Sequence, residues 1–276
     1  MEGFKQEMIV CHKPVKTIMT KSKLPDSDYA VNPYIGCPHK CVYCYACFMK
    51  RFTGHPEPWG EFLDVKESPP ISDPHKYDGK KLFFGSVTDC YNPYEAQYQK
   101  TREVLTQFIG THAHITIATK SNLVVRDLDI LKQIPHITVA FSINTLDEKF
   151  RNNMDNACSI ADRICAMKTL YESKINTVTF VSPIFPGITQ VEEIVQATKA
   201  HCNTYWLENL NLRGGYKQII MDYIKRDYPH LLPLYDAVYN RKDKQYWVEL
   251  SQYLETYAKA EGVNMVNYFY HELIRK

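Results

Sequence analysis

The chain of 276 residues is 45% hydrophobic, enough to bury a substantial core, which excludes a small module held together only by disulfide or metal staples. Its 33 Lys plus Arg stand against 31 Asp plus Glu, a formal charge of +2, so the overall field neither demands nor excludes a nucleic-acid partner. No stretch approaches the roughly eighteen consecutive apolar residues of a membrane span, and the first residues lack the apolar run of a signal peptide, so a cytoplasmic protein with no membrane partner is expected.

Residues 30–33 read as a first strand, entering a loop in which Pro33, Gly36 and Pro38 break any helix. Four cysteines, Cys37, Cys41, Cys44 and Cys47, crowd into eleven residues of that loop. From about residue 80 onward, short apolar runs alternate with amphipathic segments, as in repeated βα units on a parallel sheet. A second strand over 81–86 precedes a helix over 95–109, where Tyr98, Thr101, Leu105 and Phe108 keep helical spacing. The third strand, 114–120, precedes a helix over 122–133 that Pro135 ends. The fourth, 137–143, leads to a helix started by Ser159 with Asp162, and the fifth, 176–183, to one started by Thr189 with Glu192. Residues 204–210 supply a sixth strand. Beyond Gly214 and Gly215, residues 217–260 are helical in composition and rich in Tyr.

Six strands are too few for the eight of a closed barrel. The expectation is therefore an α/β chain, a partial (β/α)6 barrel of the TIM type with a C-terminal helical extension. Residues 1–28 form an N-terminal extension, 29–212 the barrel, and 213–276 a helical cap in the same compact body, since no linker composition divides them.

In a reducing cytoplasm, nine cysteines point to metal or redox chemistry rather than to a disulfide framework. Cys37, Cys41 and Cys44 form a C-x-x-x-C-x-x-C row. Three thiolates can hold three irons of a four-iron cube and leave the fourth iron open. A structural zinc ordinarily closes four ligands in two separated knuckles; no second knuckle exists, although Cys47 or His39 offers a fourth ligand, so a non-catalytic zinc or cluster-binding adaptor is the alternative. Cys165 lies beside a helical core face and is expected to pack there.

The motif Cys37-Pro-His-Lys-Cys-Val-Tyr-Cys44 resembles the cluster loop of the radical S-adenosylmethionine (SAM) superfamily. With Asn32-Pro-Tyr-Ile-Gly ahead of it, then Gly85-Ser-Val-Thr-Asp89, Thr119-Lys-Ser121, Phe141-Ser-Ile-Asn144 and Pro183-Ile-Phe-Pro-Gly187 in that order, the chain is similar to the spore photoproduct lyase-like branch over residues 12–200. Some members of that branch are encoded in pairs, which implies a partner radical SAM protein.

That resemblance implies a 4Fe-4S cluster on Cys37, Cys41 and Cys44, with SAM on the open iron. Reductive cleavage, using an external reductant such as flavodoxin or ferredoxin, yields a 5′-deoxyadenosyl radical that takes a hydrogen atom from the substrate. Tyr43 is then expected near cluster and adenine, Ser86 and Thr88 at the methionine end, Lys120 on a carboxylate, and Ser142 on the carboxylate or ribose. Catalytic roles fall on Tyr45, in a radical relay, and on Cys90 as hydrogen donor on a loop over the mouth. Val87 stands where the branch carries that cysteine, which counts against a simple thymine-dimer repair enzyme. Cys47 is expected to point away. His55 and Trp59 are expected to pack a long loop rather than touch substrate. Nucleic acid is the favoured substrate, with peptide or protein next.

Overall fold

The expected strands are all present in a computed structural model that describes residues 8–269. In chain order the strands are β1 (Ile9–Pro14), β2 (Met19–Lys21), β3 (Tyr29–Val31), β4 (Tyr34–Ile35), β5 (Phe62–Glu67), β6 (Lys81–Phe84), β7 (His114–Thr119), β8 (His136–Ser142), β9 (Asn176–Ile184), β10 (Thr204–Asn209) and β11 (Met265–Asn267). Eight of them form one sheet in the order β11-β10-β9-β8-β7-β6-β3-β2, and β1-β5-β4 form a second sheet of three. Every pairing in the large sheet is parallel except that of β2 with β3. The six predicted strands are β3 and β6 to β10; the short edge strands β2 and β11 add to them. Since β2 and β11 do not pair with each other, the barrel is partial and open.

Alternation along the strands divides their side chains between two environments. Leu82, Phe84, Ile115, Ile117, Val139, Phe141, Val181 and Leu207 are buried in one core with the helices. Their neighbours Phe83, Thr116, Thr138, Phe180 and Trp206 line a cavity inside the curved sheet, which Leu82 and Ile115 also border. The helices are α1 (Glu95–Tyr98), α2 (Lys100–Thr106), α3 (Leu128–Leu131), α4 (Glu148–Met154), α5 (Ile160–Glu172), α6 (Val191–Thr198), α7 (Gly214–Asp227), α8 (Leu232–Tyr239) and α9 (Gln245–Glu261). None among the described residues is long and apolar enough to cross a membrane. Residues 1–7 of the expected N-terminal extension and 270–276 of the expected cap lie outside the described residues.

Several local expectations are corrected. The helix over 95–109 breaks at Gln99, which adopts a left-handed φ of 50° between α1 and α2. The cause is the fully buried Glu95 carboxylate: it accepts from Thr101 N at 3.0 Å and Arg102 N at 3.2 Å, capping α2 from inside α1. The helix over 122–133 is a 3-10 turn, Asn122–Asp127, followed by α3. Ser159 caps α5 as expected, accepting from Asp162 N at 3.0 Å. Thr189 does not cap α6, because its hydroxyl donates to Asn144 O and accepts from Phe185 N. Cys165 is exposed rather than packed, since α5 buries Ile160, Arg163, Ala166, Met167 and Leu170 on another face.

Candidate active site

The cysteine loop leaves β4 through Gly36, whose φ is +87° and where a Cβ would sit 2.1 Å from Phe62 O; only glycine fits. Two short turns follow, with Lys40 N donating to Cys37 O at 3.2 Å and Cys44 N to Cys41 O at 3.0 Å. The loop then docks on residues 154–156: Val42 N donates to Met154 O (2.9 Å) and Asn156 N to His39 O (2.7 Å). Met154 ends α4, a helix that the sequence reading passed over although Asp147 accepts from Lys149 N and Phe150 N in the manner of an ordinary N-cap.

Two buried carboxylates hold this arrangement. Asp89 accepts from Lys120 N (2.7 Å), Thr119 Oγ1 (2.8 Å) and Tyr91 N (2.9 Å), and His39 Nε2 lies 3.1 Å from its Oδ2. Burial opposes ionisation of Asp89, but the His39 imidazole and these donors outweigh it and hold the carboxyl at about 2. Asp155 accepts from the Tyr43 hydroxyl at 3.2 Å and from Arg163 Nη2 at 3.0 Å, while Arg163 Nη1 reaches Ser142 O at 3.1 Å. The Asp155–Arg163 pair is 1% and 0% exposed, so these groups are locked by mutual pairing rather than by solvent. Asn32 grips the turn after β6, donating to Ser86 Oγ and accepting from Val87 N.

A cavity of about 950 Å³ inside the barrel is lined near the loop by Cys41, Tyr43, Cys44, Tyr45, Cys47 and Lys120. Cys37, Ser86, Thr88 and Ser142 are buried around the same loop and strand ends but do not line it. The Tyr45 hydroxyl turns inward to donate to Ser86 O, and burial of that hydroxyl pushes its pKa up, keeping it protonated. Trp59 sets its indole N–H against the Cys44 thiol and its ring edge-on to Phe62. His55 stacks on Phe62 at 4.1 Å, and both are the packing residues expected.

Lys120 is the cation of the site. Its ammonium lies 5.6 Å over the Tyr43 ring, with no carboxylate within ion-pair distance among the described residues. Burial lowers the affinity of that ammonium for its proton, but Cys41, Asp155 and Asp89 nearby outweigh burial and keep it charged. Burial likewise pushes the Cys37 and Cys41 thiols up, Cys41 to about 12. Thiols so enclosed become thiolates when a metal centre stabilises them.

Two positions depart from expectation. Cys90, expected over the mouth, is buried in the core instead: it is 0% accessible, belongs to the core that holds Leu82, Phe84 and Val104, and is absent from the cavity wall. Thr101 Oγ1 bonds its carbonyl, which fixes the turn that carries its side chain inward. Cys47, expected to point away, joins the cavity wall beside Cys44, and burial followed by that neighbouring thiol raises it. The sequence reading also missed Glu208 and Asn209, which line the cavity at the end of β10; Ser182 donates to Glu208, and Asn209 Oδ1 is buried without a partner. Polar residues closing a predicted strand were the available signal.

A family description, the radical SAM superfamily, matches residues 31–199. The chain belongs to the radical SAM superfamily. It is 36% identical over 215 residues to the uncharacterized protein MJ0683 of Methanocaldococcus jannaschii, covering 78% of this chain and 82% of that one. It is 22% identical over 267 residues to the uncharacterized protein Rv2578c of Mycobacterium tuberculosis, covering 87% and 75%. Among solved structures, spore photoproduct lyase complexed with dinucleoside spore photoproduct superposes with a TM-score of 0.57 at 15% identity, over 80% of this chain and 66% of the lyase. Streptococcus suis SuiB bound to S-adenosylmethionine superposes at 0.56 and 14% identity, over 86% of this chain and 49% of SuiB. The chain thus spans just under two thirds of the lyase and about half of SuiB.

Membership in the radical SAM superfamily makes this a SAM-cleaving radical enzyme that binds SAM and an iron–sulfur cluster and draws on a reductant. The residues present fit both groups. Cys37, Cys41 and Cys44 stand within eight residues on one loop, with Cys41 and Cys44 on the cavity wall that Lys120 shares, a three-thiol donor set of the kind that holds an iron–sulfur cluster. Among the described residues, His39 Nδ1 within the cysteine loop and Thr88 Oγ1 after β6 are buried without a partner, unmet bonding capacity that a bound group would satisfy.

Proposed function

We propose that Cys37, Cys41 and Cys44 hold a 4Fe-4S cluster whose open iron takes SAM, and that the enzyme abstracts hydrogen from a nucleic-acid component. The observation that carries this reading is the unpaired Lys120 ammonium sharing one cavity wall with Cys41 and Cys44. A cation there accepts the carboxylate of an amino acid by a charge-assisted bond. When bound, cluster and SAM together supply a carbon-centred radical that removes a hydrogen atom; the protein's share is to orient and enclose.

Tyr43, clamped by Asp155 and packed edge-on to Phe185, forms a rigid wall beside the cluster. Thr88 is the unpartnered donor offered to the methionine end, and Ser86 and Ser142 support the strand ends behind it. Tyr45, next to Cys44 on the cavity wall, is available for a radical relay. Cys90 is not part of this reading, because its thiol lies in the core. Residues 29–212 carry the chemistry, and the helical segment from 213 onward closes one side of the cavity through Arg213, Gly214 and Tyr216.

Nucleic acid is supported by the dinucleoside held by the structurally similar lyase, and by the aromatic lining of Phe83, Phe180, Trp206 and Tyr268, on which bases stack. The reductant is a flavodoxin or ferredoxin, and a partner radical SAM protein remains part of the proposal. Anaerobic reconstitution tests it: the protein should turn brown, and dithionite with SAM should release 5′-deoxyadenosine, faster when oligonucleotides supply the substrate. A colourless protein carrying zinc at the three thiols would overturn the reading.

A further inference from the structure

We propose that Cys11, His55 and Asp64 form a zinc site that ties the small sheet to the chain leaving the cysteine loop. Among the described residues these are the side chains whose sulfur, nitrogen and oxygen ligand atoms lie within 4.8 Å of one another. Each arrives there from a different segment. The parallel register of β1 with β5 sets Cys11 directly opposite Asp64, so both side chains stand on one face of the sheet. His55 comes from the loop after the cluster-bearing turn, and its ring is fixed by stacking on Phe62 at 4.1 Å and 11°.

The surroundings are those of a prepared ligand set. His55 and Asp64 side chains are 7% and 5% exposed, with Nε2 2.9 Å from Oδ1. The opposite ring nitrogen, Nδ1, lies 3.1 Å from Glu57 Oε2, the outer carboxylate that orients a metal-bound imidazole. The Cys11 thiol makes no hydrogen bond among the described residues, and it lies within reach of this pair. A buried His–Asp ion pair alone would account for two of the residues but not for the free thiol near them on the partner strand.

One thiolate, one imidazole and one carboxylate select zinc over the harder divalent ions. Tetrahedral ligands about 3.3–3.8 Å apart need the His55–Asp64 contact to open by roughly half an ångström. On binding, the Cys11 proton passes to water, and a water completes the fourth position. None of the three lines the SAM cavity, so the role is a staple: β5 pairs with β4, and β4 runs directly into Gly36 and Cys37.

The test is independent of the cluster assignment. Full-length protein reconstituted with iron and sulfide is equilibrated with Zn²⁺, freed of excess, and measured for both metals and for zinc K-edge absorption. About one zinc per chain, with one sulfur and otherwise nitrogen and oxygen neighbours, is expected. Cys11→Ser and, on the loop rather than the strand, His55→Gln should each lose the zinc at unchanged iron content; Cys165→Ser should keep it. Glu57→Gln should weaken zinc roughly 10–100-fold. No retained zinc, zinc with three or more sulfur neighbours, or full zinc retention in both ligand variants would overturn the site.

Discussion

Lys120 shows how a single side chain acquires a purpose from its setting. Its backbone N–H is committed to Asp89, which holds the residue at the end of β7, while its ammonium stays over Tyr43 without an acid partner. A buried charge left so is costly unless a ligand supplies the counter-charge. Lys120→Met should therefore keep iron content and weaken SAM binding roughly 10–100-fold, the value of one charge-assisted hydrogen bond, as read by equilibrium dialysis. The thiols separate in the same manner. Cys41→Ala should lose bound iron, whereas Cys47→Ala should retain it, because Cys47 stands on the wall after the three-thiol row; iron per chain after reconstitution decides.

Elements in this fold are stabilised by groups that belong to their neighbours. Glu95 interrupts its own helix to cap α2, and the Ser159 cap sets the start of α5, which carries Arg163 to Asp155. Ser159→Ala should lower unfolding free energy by about 1 kcal/mol, roughly 2–4 °C in melting temperature. In the small sheet, burial pushes the Lys66 ammonium down to about 8, with Asp64 opposing. A folded value below the unfolded one, about 10.4, means the folded chain binds fewer protons between those two pH values. The burial cost is thus fully present below pH about 8 and is relieved as pH rises toward about 10.4. Lys66→Met should melt higher than the parent near pH 7, and the gap should shrink towards pH 10 in parallel melting curves.

Over the whole molecule, the open barrel brings segments far apart in sequence onto one cavity, from Cys41 and Cys44 through Lys120 to Glu208 and Tyr268. The Arg163–Asp155 pair joins α5, the chain after α4 and, through Tyr43, the cysteine loop. Removing one member strands the other in a water-free interior. Arg163→Met should cost roughly 3–5 kcal/mol and lower iron retention, whereas the exposed Arg226 can be replaced with little change; urea unfolding of the two variants compares them.

Local pattern alone determined the six parallel strands, the three-thiol row and the Ser159 cap, because alternation, spacing and capping are properties of neighbouring residues. The edge strands β2 and β11 were out of reach, since three residues carry no readable period. The break at Gln99, the burial of Cys90, the inward turn of Cys47 and the meeting of Cys11 with His55 and Asp64 were decided only by tertiary structure. Each depends on a partner supplied by a distant segment, and such partners come within reach only when the core closes around them.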